Sequence, residues 1–149
     1  MARFIQDFKE GEVYDGGGRT ITETDIVQFN GLSWDTNPAH TDAEFSKDSP
    51  FGVRIAHGAL TLSAVTGLSA KAGYLDGTAI AFLGIDEWRF LGPVLIGDTI
   101  RLHWVVLEAK RSKSKPDRGV LKRRMEVWNQ RNQLVQSGIF ITMVKARPD

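Results

Sequence analysis

From Thr99 onward the chain alternates: Ile100, Leu102, Trp104 and Val106 are interleaved with Arg101, His103, Val105 and Leu107. This period of two predicts a β-strand with one better-buried face, His103 falling on the other. Apolar stretches over 79–84, 87–90, 120–129 and 134–144, punctuated by Gly and by charged or amide residues, predict further strands. The turns at 96–98 and 129–132 suit antiparallel hairpins, and no helical pattern separates the late strands to allow parallel crossovers. The first half of the chain reads differently. Thr22 precedes Glu23 and Asp25, with Ile26, Phe29 and Leu32 at helical spacing, which predicts a capped helix ending near Gly31. From His57 to Lys71, Ala59, Leu60, Leu62, Ala64, Val65, Leu68 and Ala70 are joined by Thr61, Ser63, Thr66 and Gly67. Apolar or small residues all round predict an enclosed central helix roughly 22 Å long. The Gly16-Gly17-Gly18 run reads as a turn, and Asp42 to Phe45 as one helical turn before Pro50-Phe51-Gly52 breaks the chain. Helices early and a meander late predict an α+β fold, one antiparallel sheet packed on the buried helix.

Length and composition place this pattern in one domain, 1–149, with 42% hydrophobic and 25% charged residues, a soluble globular balance. The absence of cysteine excludes thiolate nucleophiles, disulfide frameworks, iron–sulfur clusters and cysteine-ligated zinc. The first ten residues lack a signal-like apolar stretch and no window approaches a membrane span, so a cytoplasmic location and no membrane partner are expected. The net charge of +1 hides an asymmetry: segment 110–124 carries +7, the rest of the chain −6. Two readings of that segment stand, a local field for a phosphorylated ligand and a solvated hairpin tip. Nucleic acid is not expected, because aromatic residues are not interleaved through it.

Candidate chemistry concentrates in Asp35-Thr36-Asn37-Pro38-Ala39-His40-Thr41-Asp42, followed by His57-Gly58-Ala59-Leu60. Pro38 fixes its own φ and pushes Asn37 away from helical values, so 35–40 is read as a shaped loop that can aim a carboxylate and an imidazole at one water. Neither a nucleophile elbow nor a glycine-rich phosphate loop is present.

Leu32-Ser33, Asp35-x-Asn37-Pro38-x-His40-x-Asp42, Phe51-Gly52, Ile55-Ala56-His57-Gly58-x-Leu60 and the Gly97-Asp98 turn resemble the MaoC-like, (R)-specific enoyl-CoA hydratase family over about 29–140. The resemblance implies the hotdog fold, in which an antiparallel sheet wraps a central helix. It implies reversible syn addition of water to a trans-2-enoyl-CoA, giving a (3R)-3-hydroxyacyl-CoA, with neither metal nor redox cofactor, coenzyme A being part of the substrate. Asp35 and His40 match the catalytic pair, Asp35 as base toward water and His40 as acid and orienting partner. Gly58 matches the residue whose amide stabilises the thioester enolate, a role suited to a helix start. Thr66 matches a hydroxyl that supports the catalytic carboxylate. Of the other residues near the ligand, Asn37 is read as loop-shaping, Asp42 as a cap, and His57 as a satisfied buried histidine rather than a loop-orienting ring. Trp34, Trp88 and Trp104 are read as core or interface aromatics. Many family members carry glycine where this chain has Trp34, which bears on acyl-chain length. A homodimer with a continuous sheet is implied. The competing readings are a hotdog acyl-CoA thioesterase and a non-catalytic acyl-CoA-binding protein.

Overall fold

The computed structural model describes residues 2–148. Five strands, β1 (Val13–Thr20), β2 (Ala79–Phe90), β3 (Thr99–Arg111), β4 (Arg118–Trp128) and β5 (Leu134–Lys145), form one antiparallel sheet in the order β1-β3-β4-β5-β2. α1 (Glu23–Ser33), α2 (Pro38–Thr41), α3 (Ala43–Lys47) and α4 (Gly58–Lys71) complete the chain with a short 3₁₀ turn at Ile5–Asp7. The α+β architecture read from the sequence is present, the sheet lying against α4. Ile100, Leu102, Trp104 and Val106 of β3 are all buried, together with Leu121, Met125 and Val127 of β4 and Leu60, Val65 and Leu68 of α4. Among the described residues no helix is long and apolar enough to cross a membrane.

Three expectations need correction. The glycine run is not a turn but the middle of β1: a Cβ on Gly16 would lie 2.8 Å from Leu102 Cδ2, and one on Gly18 2.7 Å from the Ile100 carbonyl. Glycine lets the edge strand press onto β3, and Gly17, at φ +73, carries the bulge between Asp15 and Gly17. The two short segments at 79–84 and 87–90 are one strand, whose pairing with β5 shifts between Asp86 and Arg89 around Glu87 at φ +53. That bulge breaks the alternation by which a continuous strand is recognised. Finally, α4 is not enclosed by its own chain. Leu60, Thr61, Ala64, Val65, Leu68 and Ser69 are buried, whereas Ala59, Ser63, Thr66, Gly67 and Ala70 form an exposed face of small residues.

The basic segment divides by the pleat of β4. Arg118 pairs with Asp117, Lys122 with Glu108 and Arg124 with Glu126 on the surface. Arg123 turns inward and is only 4% exposed.

Candidate active site

The loop that carries Asp35 is shaped by a chain of local caps. Thr22 and Asp25 close a reciprocal cap on α1, and Trp34 ends that helix in the left-handed region at φ 63, 87% exposed. Ser33 Oγ donates to the Phe29 carbonyl and accepts from the Asp35 amide. Asn37 Oδ1 then accepts from the Ala39 amide and starts α2, with Pro38 at its first turn. The 35–40 segment is therefore a loop only as far as Asn37. Proline's fixed φ and missing N–H suit the first helical position, and His40 is delivered on a helical turn. Asp42 caps α3 through the Phe45 amide. Asn37 thus acts on backbone, as read from the sequence.

Two elements fix the loop against the start of α4. Ile55 N–H donates to the Ala39 carbonyl, and His40 Nδ1–H donates to the Ile55 carbonyl at 2.7 Å. Because a carbonyl only accepts, Nδ1 carries the proton and Nε2 faces Asp35, 3.9 Å from Oδ2. Arg54 pairs with both carboxylate oxygens of Glu23 at 2.7 and 2.9 Å and also donates to the His40 carbonyl, tying α1 to this strap. Those hydrogen bonds hold the Glu23 carboxyl below its ordinary pKa.

His57 is 1% exposed and stacks on His40, the ring centroids 3.8 Å apart, with Phe29 at its edge. Its Nε2–H donates to the Asp35 carbonyl at 2.9 Å, while Nδ1 has no partner among the described residues. His57 is a buried, hydrogen-bonded histidine, the reading preferred from the sequence, and its bond to the Asp35 carbonyl also gives it the loop-orienting part of the alternative. Burial holds its pKa below the ordinary value, so at neutral pH it is uncharged.

Gly58, the first residue of α4, presents a helix-start amide with no capping side chain from His57. A Cβ there would lie 2.6 Å from Phe90 Cε1, so glycine is required for the ring to close over the helix start. Gln136 of β5 donates to the Gly58 carbonyl and accepts from Trp88 Nε1, anchoring the turn to the sheet. Beside it opens a groove of about 570 Å³ lined mainly by Phe51, Ile55, Phe90, Leu91, Pro93 and Val94.

Asp35, His40 and His57 place three ligand-type atoms within 4.8 Å of one another. Stacked imidazoles present their faces, not their in-plane lone pairs, to the space between them, and His57 Nε2 is already committed. The set suits proton transfer better than metal ligation.

Thr66 stands apart from this group. Its hydroxyl donates to the Ser63 carbonyl within α4, and it lines a different hollow with Ser69, Ile80, Phe82, Arg123 and Thr142. Within one chain it does not meet Asp35. No basic residue of the 112–117 hairpin reaches the site either, that hairpin lying at the far end of β3. Arg54 and Gln136 were not singled out from the sequence; Ser33 and Ile55 stood in the resembling motif without an assigned role.

The family description "MaoC like domain" matches residues 7–129 of the chain. Protein MaoC of Klebsiella aerogenes is 36% identical over 129 residues, covering 87% of this chain and 37% of that protein. The (R)-specific enoyl-CoA hydratase of Rhodospirillum rubrum is 39% identical over 103 residues, covering 67% of each. Among solved structures, a monoamine oxidase regulatory protein of Archaeoglobus fulgidus superposes with a TM-score of 0.90 at 38% identity, covering 99% of this chain and 97% of its own. The chain thus spans about a third of one curated relative and two thirds of the other.

Proposed function

Because the chain belongs to the MaoC-like domain family and has the hotdog fold, we propose that it reversibly hydrates trans-2-enoyl-CoA to (3R)-3-hydroxyacyl-CoA. The observation that carries this is the 3.9 Å approach of Asp35 Oδ2 to His40 Nε2. Groups so close can both hold one water at about 2.8 Å from one side of a substrate, as syn addition requires. Asp35 takes a proton from the water as its oxygen bonds to C3 and passes a proton to His40 Nε2, which delivers it to C2. The proton lost by the water thus ends on C2, and the pair is restored. Charge developing on the thioester oxygen is met by the Gly58 N–H at the positive end of α4. Uncharged His57 holds the Asp35 backbone without competing for the transferred proton. The scheme uses neither metal nor redox cofactor.

The working unit in this reading is a homodimer. β2 is a sheet edge that exposes Ile80, Phe82, Leu83, Ile85 and Phe90, and the small-residue face of α4 lies open on the same chain. A long apolar edge is a template for pairing. A two-fold pairing of β2 with its copy continues the sheet and covers α4. The strands then run antiparallel, so the Ala79–Phe82 end of one protomer lies beside the Phe90 end of the other. Thr66 and the basic hairpin, both at the first end, are carried toward the partner's catalytic loop. That is where a supporting hydroxyl and cations for the coenzyme's phosphates belong.

The test is loss of enoyl-thioester absorbance with crotonyl-CoA, run with a free-thiol assay. Hydration without thiol release is expected, with kcat reduced about 10²- to 10⁴-fold in Asp35→Asn and in His40→Gln. Thiol release would make the protein a thioesterase. Tight acyl-CoA binding without turnover would make it a binding protein.

A further inference from the structure

Arg123 is a cation buried without a counter-charge. It is 4% exposed, and among the described residues no carboxylate pairs with it. One terminal nitrogen donates to Ser69 Oγ at 2.8 Å, the other to Thr142 Oγ1 at 3.3 Å, and the guanidinium lies over Trp104, 5.3 Å from the ring centroid. Nε has no acceptor. Two neutral hydroxyls and a ring face position the group, but they do not balance its charge, and burial pushes its pKa down to about 10. It remains protonated at neutral pH.

The same guanidinium lines a hollow of about 470 Å³ between α4 and the first half of β2. The remaining walls include Leu75, Ile80, Phe82 and Phe140, with Thr66 and Thr142 as hydroxyls. The one carboxylate on the lining, Asp76, is exposed at the rim and makes no ion pair with Arg123. A cavity with apolar walls and one fixed, uncompensated cation selects an organic anion: the walls take hydrocarbon, and the planar fork takes a carboxylate.

We propose that this hollow is the acyl end of the partner's active site and that Arg123 binds a carboxylate on the acyl group, making the substrate class carboxylated enoyl-CoA thioesters. The proposal rests on the dimeric hydratase reading above. In that dimer the Ala79–Phe82 end of β2, which walls the hollow, lies beside the partner's Phe90 and hence its Gly58. A thioester carbonyl held at one protomer's helix start therefore directs its acyl chain toward the other protomer's Arg123. The carboxylate arrives as the counter-ion the folded chain does not supply.

The test separates binding from chemistry. Saturated succinyl-, glutaryl- and adipyl-CoA, which have no double bond to hydrate, are compared by calorimetry with butyryl-, pentanoyl- and hexanoyl-CoA. At least one dicarboxylyl thioester is expected to bind 10- to 100-fold tighter than its neutral counterpart. Arg123→Met is expected to abolish that preference, bringing the ratio of dicarboxylyl to neutral affinity to about one; a merely structural role would lower the melting temperature and leave the ratio unchanged. Equal or weaker binding of all three dicarboxylyl thioesters by the wild-type protein overturns the proposal without recourse to the variant, so a poorly folded Arg123→Met does not shelter it. An Arg123-dependent affinity for coenzyme A alone also overturns it, assigning the cation to a phosphate. Arg123-dependent glutaryl-CoA binding in a protein that hydrates no enoyl-CoA would retain the subsite and remove the hydratase reading.

Discussion

The two edges of the sheet are built on opposite plans. β1 carries Asp15, three glycines, Arg19 and Thr20, is bulged at Gly17, and is pressed so closely onto β3 that side chains are excluded at Gly16 and Gly18. β2 is longer, exposed over nearly its whole length, and apolar from Ala79 to Ile85, with Asp86, Glu87 and Arg89 beyond. Both edges are bulged, β1 at Gly17 and β2 at Glu87, so side chains make the difference: a short, polar, glycine-rich edge has little to bury, whereas a long edge rich in apolar residues invites pairing. The contrast teaches where the molecule ends and where it is unfinished: β1 closes the sheet, and β2 is the face on which the proposed second copy sits.

The largest expected effect comes from breaking β2. Leu83→Lys combined with Ile85→Lys places charges on the pairing edge, and light scattering is expected to show half the wild-type mass with hydration down at least about 100-fold. A well-folded, fully active monomer would remove the dimer from the mechanism. Breaking β1 is expected to cost stability instead of assembly. Gly18→Val drives a Cβ against the Ile100 carbonyl and should destabilise by about 2–3 kcal/mol in chemical denaturation, the mass unchanged.

The smallest effect sharpens the comparison through the anchor of β1. Asp98, 3% exposed, immediately precedes β3, and its carbonyl accepts from the Ile21 amide just past the end of β1, while the Gly97 amide donates to the Ile21 carbonyl. Burial acts to raise its pKa, but hydrogen bonds from Arg131, Gln130 and the Leu95 amide outweigh burial and hold it below the ordinary value. A lowered folded-state pKa gives stability that is present above the unfolded value, about 3.9, and lost as pH falls through the folded one. Asp98→Asn should cost about 2 kcal/mol at pH 7, Arg131 being partly solvated, a cost that begins to shrink only below about pH 3.9 and fades as pH falls through the lower folded-state value. Hydrogen exchange at acid pH should quicken in β1 before β2; simultaneous quickening would deny the anchor.

What the sequence disclosed and what it hid follow from the same contrast. β3, β4 and β5 were legible because burial of one face imposes alternation on their side chains. β1 was hidden because its inward positions are glycines, selected by close approach and carrying no polarity to read. The bulge at Glu87 interrupted β2 in the same way. At the site, Asp35, Asn37, Pro38 and His40 form a local signature. The tether from His57 to the Asp35 carbonyl spans 22 residues and leaves no periodic trace. Thr66 was legible only by resemblance, and within its own chain its hydroxyl is turned to the Ser63 carbonyl.

The place of β2 in the sheet also has a consequence in time. Phe90 pairs with Gln136 and Ala79 with Val144, so each β2 residue leaves the ribosome some 46 to 65 residues before its partner. At about 5–20 residues per second, the strand with the most exposed apolar surface spends several seconds without a neighbour. Newly made β2 is thus the segment of this chain most in need of chaperone cover, and slowing synthesis between Leu91 and Leu134 would lengthen that need.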